Sequence, residues 1–286
     1  MATRTLSLPE TMPEAAIPTS GGLRWLVADT LTIAKRNIVH IRRVPEKLVN
    51  VTIQPILFVL LFAFVFGNAI PIPGGGSYRE YLMAGIFTQT IAATYMSTAV
   101  GVTEDMSKGI IDRFRSLPMT PGAVLGGRSV ADLLESIIAV TVLVIMGLLI
   151  GWRAHNGIGD TLGAIGLLLL FGFAMIWVGA ALGLYARTTE TANVIGFMIF
   201  FPISFVSNAF VPTSTMPPVL QTIAEWNPVS ATTAACRNLF GNPNPMPADA
   251  AWPMQNPVLA SILGSLLILA IFMPLALRRY NSTASR

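Results

Sequence analysis

The sequence predicts an all-α polytopic membrane protein with six transmembrane helices. Three observations carry that reading. Of the 286 residues, 53% are hydrophobic and only 11% are charged, against about 25% charged in a soluble domain. The polar side chains are too few to cover a water-facing surface, and the apolar ones collect in long runs. If those runs alternate across a bilayer, fifteen of the eighteen Lys and Arg residues fall on one side, leaving Arg79, Arg153 and Arg237 on the other. That asymmetry is the positive-inside pattern and puts both termini in the cytoplasm.

A crossing helix needs about 20 mostly apolar residues. Six segments qualify: Val49–Phe66, Tyr81–Val102, Leu133–Trp152, Thr161–Ala186, Thr191–Val211 and Pro257–Leu277. Asp132 and Glu135 favour a helix N-terminus at the start of the third. Pro55, Pro202 and Pro274 fall inside spans, where a missing N–H kinks a helix. Tyr81, Trp152, Trp177, Tyr185 and Tyr280 lie mostly near span ends, as interfacial aromatics do. Gly147/Gly151 and Gly179/Gly183 have the spacing that lets helices approach closely, and packing within one subunit is the simpler use of it. Residues 1–22 lack a signal-peptide core and read as a disordered cytoplasmic tail, and residues 23–286 as a single transmembrane domain.

Three segments between the spans carry pattern. Residues 23–44 place Leu23, Val27, Ala34, Ile38 and Ile41 at roughly helical spacing, with Lys35, Arg36, Arg42 and Arg43 among them. A basic amphipathic helix of this kind lies on an anionic leaflet, as a plain anchor or as a surface that also touches a partner. Residues 104–120, EDMSKGIIDRFRSLPMT, interpose Glu104, Asp105, Lys108, Asp112, Arg113 and Arg115 between two apolar runs. Met106, Ile110, Ile111, Phe114 and Leu117 form an approximate apolar stripe, and Pro118 discourages continuation. A short two-faced helix here either rests on the membrane or docks into a groove of a soluble protein. Residues 212–256, on the trans side, contain two short apolar helices, with Asn227 as a cap and Pro228 in the first turn of the second. A re-entrant hairpin and an ordinary external cap both fit.

Several chemistries are absent from the sequence. No G-x-x-x-x-G-K-[ST] motif exists, and none of the three lysines follows a glycine, so the chain lacks a recognisable phosphate-binding loop of its own. His40 and His155 fall on opposite sides of the membrane, and a single cysteine, Cys236, builds no cysteine-based metal cluster. Apart from Asp132 and Glu135 the six spans hold no charge, which leaves ion coupling little to stand on. Neutral polar groups remain as possible pathway or gate residues: Gln54, Gln89, Thr94, Ser204 and Asn208, with Asn227 and Pro228 in the hairpin. Bonding between helices is their commoner use.

The run Glu104…Gly109…Asp112-Arg113-Phe114-Arg115-Ser116-Leu117-Pro118 resembles the cytoplasmic signature of type-2 ABC exporter permeases. The stretch Phe200 to Leu239, FFPISFVSNAFVPTSTMPPVLQTIAEWNPVSATTAACRNL, is similar to the fifth span and external hairpin of that family, in its daunorubicin/doxorubicin-resistance branch. The resemblance covers nearly the whole chain. It implies six-span subunits paired as a dimer, here of two identical chains, each bound by a separate ATPase polypeptide. The complex would thus carry two ATPase copies, with ATP and Mg held there and no cofactor on this chain. It also implies that residues 104–118 are a coupling helix, with Glu104, Asp105, Gly109, Asp112, Arg113, Phe114, Arg115, Leu117 and Pro118 at the ATPase contact. The 23–44 helix would rest beside it and the external hairpin would act as a gate. The remaining partners implied are membrane lipid and a hydrophobic or amphipathic compound, such as a drug, antibiotic or lipid, with no role for nucleic acid. The implied location is the bacterial cell membrane. Export of a polysaccharide or lipid-linked polymer, and a non-transporting anchor or self-immunity subunit, stand as alternatives, with an ion-coupled carrier behind them.

Overall fold

The computed structural model describes residues 45–65, 72–73, 75–109, 123–247 and 249–282. The expected tail, the basic helix with Lys35, Arg36, Arg42 and Arg43, and the coupling residues Asp112, Arg113, Phe114, Arg115, Leu117 and Pro118 lie outside the described residues. Among the described residues the chain is all-helical. α1 (Pro45–Leu60) runs into a π-helical turn at Leu61–Val65, followed by α2 (Tyr78–Ala92), α3 (Thr94–Ser107), α4 (Ala123–Leu149), α5 (Ile158–Tyr185) and α6 (Thr189–Phe205). Two short helices, α7 (Pro218–Glu225) and α8 (Pro228–Phe240), precede the single turn α9 (Trp252–Gln255) and the long α10 (Pro257–Ser282).

Among the described residues three helices are long and apolar enough to cross a membrane: Val124–Leu149, Ile158–Tyr185 and Pro257–Ser282. Ile53–Val65 and Thr189–Phe205 are apolar but shorter. The second expected span is two helices, α2 and α3, that meet at Ala93. Ala93 keeps helical angles, φ −65° and ψ −14°, and the Thr94 hydroxyl bonds back to the Ile91 carbonyl at 2.7 Å, a local pattern that bends helices. α4 begins about a turn and a half before residue 128, well ahead of the sequence estimate, because its early charges find partners. α6 stops at Phe205 rather than near residue 211. Pro55, Pro202 and Pro274 all lie inside helices rather than at their ends.

α5 is the central post. α3, α10, α8 and α4 all pack on it, and small residues set the spacing. A Cβ on Gly179 would stand 2.2 Å from the Tyr95 carbonyl oxygen, and one on Gly183 would stand 2.5 Å from that of Ala99. Gly179/Gly183 is therefore an internal α3–α5 contact, as close-approach pairs allow. Gly147/Gly151 is different: Gly147 packs under Met83 and Trp152, while Gly151 at φ +98° ends α4.

One core cluster gathers Tyr81, Met83, Phe87, Leu143, Trp152, Leu168, Cys236 and Phe240; a second, built from α3, α10 and other stretches of α4 and α5, gathers Val102, Leu125, Trp177, Ala181, Leu184 and Tyr280. Four of the five aromatics expected at the interface are thus interior, with Tyr81, Trp152, Trp177 and Tyr280 all buried and Tyr185 alone exposed. Trp152 stands edge-on to Phe87 and Phe240 and donates its indole N–H to Asn242 Oδ1 at 2.8 Å. A buried indole usually finds such a partner, whereas Trp177 Nε1 has none among the described residues. The single cysteine, Cys236, is completely buried. α10 and α6 instead expose apolar side chains along much of their length, among them Leu263, Leu267, Phe197 and Phe201, as a lipid-facing or subunit-facing surface requires.

Candidate functional site

The sequence-predicted residues fall into two regions. At one end, α3 finishes with Glu104 and Asp105 in its last turn. They do not open a separate helix: α3 ends at Ser107, and Gly109 at φ +64° turns the chain out of it. The amides of Lys108 and Gly109 reach back to Glu104 and Met106 carbonyls, both at 3.0 Å, and glycine is the residue that takes a left-handed angle at a helix end without strain. Glu104 pairs with Lys108 at 2.5 Å on the exposed face. The hydrogen bond and charge of Glu104 raise the Lys108 pKa, yet an exposed pair of this kind adds little stability.

Asp105 does more. It accepts from Arg128 Nη1 of α4 at 2.6 Å, and Arg128 Nε lies 3.6 Å from Asp132. Thr98 of α3 donates to Asp132 at 2.7 Å. Thr98, Asp105, Arg128 and Asp132 thus form a polar ladder between α3 and α4, the two helices that flank residues 110–122. Gly101 makes room for it, since a Cβ there would overlap Arg128. Arg128 and Asp132 are half-buried to buried, so their charges are tolerated because they are paired.

The second region is the C-terminal end of α6. A helix leaves its last four carbonyls without internal partners, and here side chains from other elements reach them, although Ile203 and Phe205 themselves stay exposed. Val206 N–H satisfies Pro202. Asn227 Nδ2 reaches both the Ile203 and Val206 carbonyls at 2.7 Å. Gln89 of α2 donates to the Ser204 carbonyl at 2.8 Å, and the Ser204 hydroxyl donates to Gln89 Oε1. Ser207 bonds the Ser204 carbonyl at 2.6 Å, and the Asn208 amide donates to Ser230 of α8 at 3.0 Å. Asn227 also caps α8, accepting from Val229 N–H at 2.9 Å with Pro228 behind it.

Of the possible pathway residues, the structure therefore brings together Gln89, Ser204, Asn208 and Asn227, with Pro228 beside them: Gln89 and Ser204 bond each other, Asn227 serves the α6 end and the α8 cap, and the buried Asn208 Oδ1 has no partner among the described residues. Gln54 stands exposed on α1, and Thr94 sits at the α2–α3 junction, so neither joins the cluster.

Sequence reasoning missed Arg237. Counted there as an external loop cation, it is completely buried on α8. Its guanidinium donates to the carbonyls of Tyr81, at 2.9 Å, Asn208, at 2.9 Å, and Ala209, at 3.2 Å. It also stacks on the Tyr81 ring at 3.5 Å. Tyr81 adds a hydroxyl bond to the same Asn208 carbonyl at 2.7 Å. One signal for this was available: residues 231–235 are all Ala or Thr, a composition that packs tightly on every side and leaves a following arginine inside. Glu225 was missed too. It is buried at the end of α7, held by Gln221 at 2.9 Å and by the Ala251 amide at 2.7 Å, and so fastens α7 to the start of α9.

Comparison with known proteins gives this geometry a context. The family profile described as "ABC-2 type transporter" matches residues 28–240. The daunorubicin resistance ABC transporter permease protein DrrB1 of Streptomyces coeruleorubidus is 31% identical over 94% of this chain and 96% of its own length. The probable doxorubicin resistance ABC transporter permease protein DrrC of Mycobacterium tuberculosis is 24% identical, covering 93% of this chain and 92% of its own. The putative transport permease YvfS of Bacillus subtilis is 23% identical over 68% of this chain and 80% of its own.

Proposed function

Since the chain belongs to the ABC-2 type transporter permease family, we propose that it is the membrane subunit of an ATP-driven exporter in a bacterial cell membrane. It crosses that membrane six times with both termini cytoplasmic, and it moves hydrophobic or amphipathic compounds outward. The observation that carries this is full-length similarity to a drug-resistance permease. Apart from Asp132 and Glu135 the six expected spans carry no charge, which suits such cargo. Two copies of the chain pair, and each engages one copy of a separate ATPase that holds ATP and Mg.

Residues 104–118 are the contact with that ATPase. Glu104, Asp105 and Gly109 form its described beginning, and Asp112, Arg113, Phe114, Arg115, Leu117 and Pro118 complete it. Asp105, through Arg128 and Asp132, supports this reading by tying both flanking helices together, so that a push on the segment moves α3 and α4 as a pair. Lys35, Arg36, Arg42 and Arg43 lie on the inner leaflet beside it. The α7–α8 hairpin, held at the end of α6, acts as the outer gate.

The test is co-purification of the chain with its candidate ATPase, followed by ATP hydrolysis in lipid discs and doxorubicin uptake into inside-out vesicles. Permease-dependent hydrolysis that disappears in an Arg113→Glu/Arg115→Glu variant supports the assignment. A wild-type chain that binds no ATPase overturns it in favour of an anchoring or immunity subunit.

A further inference from the structure

Arg237 carries a buried positive charge that the coupling scheme above does not use. Among the described residues no carboxylate pairs with it. The charge rests on three backbone carbonyls and one aromatic face, which together offset part of the cost of removing an ion from water. Two of the carbonyls, Asn208 and Ala209, belong to the non-helical stretch that follows α6. The third, Tyr81, belongs to the opening turns of α2. Arginine alone supplies a planar fork that both stacks and donates in several directions.

The stretch after α6 needs such a holder. Were the helix to continue, the Asn208 carbonyl would look to the amide of residue 212, and Pro212 has none. In the bent form that carbonyl receives both the Tyr81 hydroxyl and Arg237. Gly85, one turn along α2, lets the Ala209 carbonyl close in. The amides of Val206, Asn208 and Ala209 meanwhile bond to Pro202, Ser230 and Ser207.

Tyr81 stands near one end of the α2–α3 pair, and Glu104 lies in the last turn at the other. Along the helix axes the two are about 35 Å apart at 1.5 Å per residue. We propose that Arg237 is a positioning residue that pins the α6 break and the α8 helix to the outer end of this rod. Movement of the charged segment at the far end of α3 is thereby delivered to the hairpin through Arg237. The transmission role rests on the exporter reading; the pinning role does not.

Hydrogen exchange of the purified full chain in lipid discs tests both. In the chain alone, Arg237→Lys is expected to exchange the amides of Val206, Asn208 and Ala209 about tenfold faster, with α5 and α10 unchanged. Tyr81→Phe, which keeps the ring and loses only the hydroxyl, does the same to a smaller degree. Unchanged exchange at those amides in both variants overturns the pin. If Arg237→Lys loosens α5 as well, it has failed to fold, and Tyr81→Phe decides.

In the ATPase complex, trapping with ATP and vanadate is expected to change exchange at residues 104–109 and at 206–209 in the wild type. In Arg237→Lys the first response persists and the second is lost. A second response that survives in that variant overturns the transmission role. Failure of the wild type to form the complex tells against the exporter reading and leaves the pin to be judged on the chain alone.

Discussion

The Ala209 carbonyl oxygen lies against Gly85, so close that a Cβ on that glycine would stand 2.0 Å from it. The obstacle is backbone, which cannot swing aside, and it belongs to the stretch held by Tyr81 and Arg237. Gly85→Ala must therefore part α2 from the end of α6. We expect a loss of about 2–3 kcal/mol, at the upper end for overpacking, read as a lower melting temperature in detergent. Gly166→Ala is the control. Nothing lies within 4 Å of a Cβ there, so it should be neutral or stabilise by up to about 1 kcal/mol. Equal effects from the two would refute the close-approach argument.

Asn227 has two separable jobs. Its Oδ1 caps α8, and its Nδ2 serves two carbonyls of the α6 end. Asn227→Asp keeps the cap but turns a carboxylate toward carbonyl oxygens, so it should cost more than Asn227→Ser, although the two rank nearly equal as plain caps. For Asn227→Ala the expected loss is about 2–4 kcal/mol, a cap plus two unsatisfied carbonyls. Chemical denaturation in mixed micelles should rank the three. If Asp proves the mildest, the carbonyl bonds contribute nothing.

The Arg128 ladder makes a directional claim. Arg128→Met leaves Asp105 and Asp132 facing each other without their shared cation, whereas Asp105→Asn leaves Arg128 still paired with Asp132. The first should cost more, about 2 kcal/mol after allowing for partial exposure. Combining Arg128→Met with Asp132→Asn should recover part of it. A double-mutant cycle by thermal unfolding measures the coupling, and strict additivity would dissolve the ladder.

Gly109 has open space around it but φ +64°. The cost of a side chain there is conformational alone, about 1 kcal/mol for Ala and less for Asn. Gly109→Asn should therefore keep permease-dependent ATP hydrolysis nearer to wild type than Gly109→Ala. Identical losses would point to a steric contact with the ATPase instead.

Much of the scaffold was legible because it follows from composition and local chemistry. The apolar runs gave α4, α5 and α10 to within a turn at most ends, and the Asn227-Pro228 pair announced the start of α8. What the sequence hid was whatever depends on distant partners. The early start of α4 is allowed by Asp105, twenty-odd residues upstream. The early end of α6 depends on donors from Gln89 and Asn227. Arg237 was misread because counting charges by side of the membrane says nothing about depth. The tyrosines and tryptophans misled for the same reason: a ring near a span end sits at the lipid surface only if no other helix covers it.

The burial of Cys236 has a practical corollary. The chain's only native thiol is completely enclosed, its sulfur 3.9 Å from the Ala164 carbonyl, and burial pushes its pKa up to about 12. Thiolate, the form that reacts, is therefore scarce there and out of reach. Engineered cysteines at exposed positions such as Val219 or Ile158 should take up maleimide probes over a nearly silent background. Accessibility mapping from either face of the membrane can then begin from the natural sequence, without first removing a residue that adjoins Arg237.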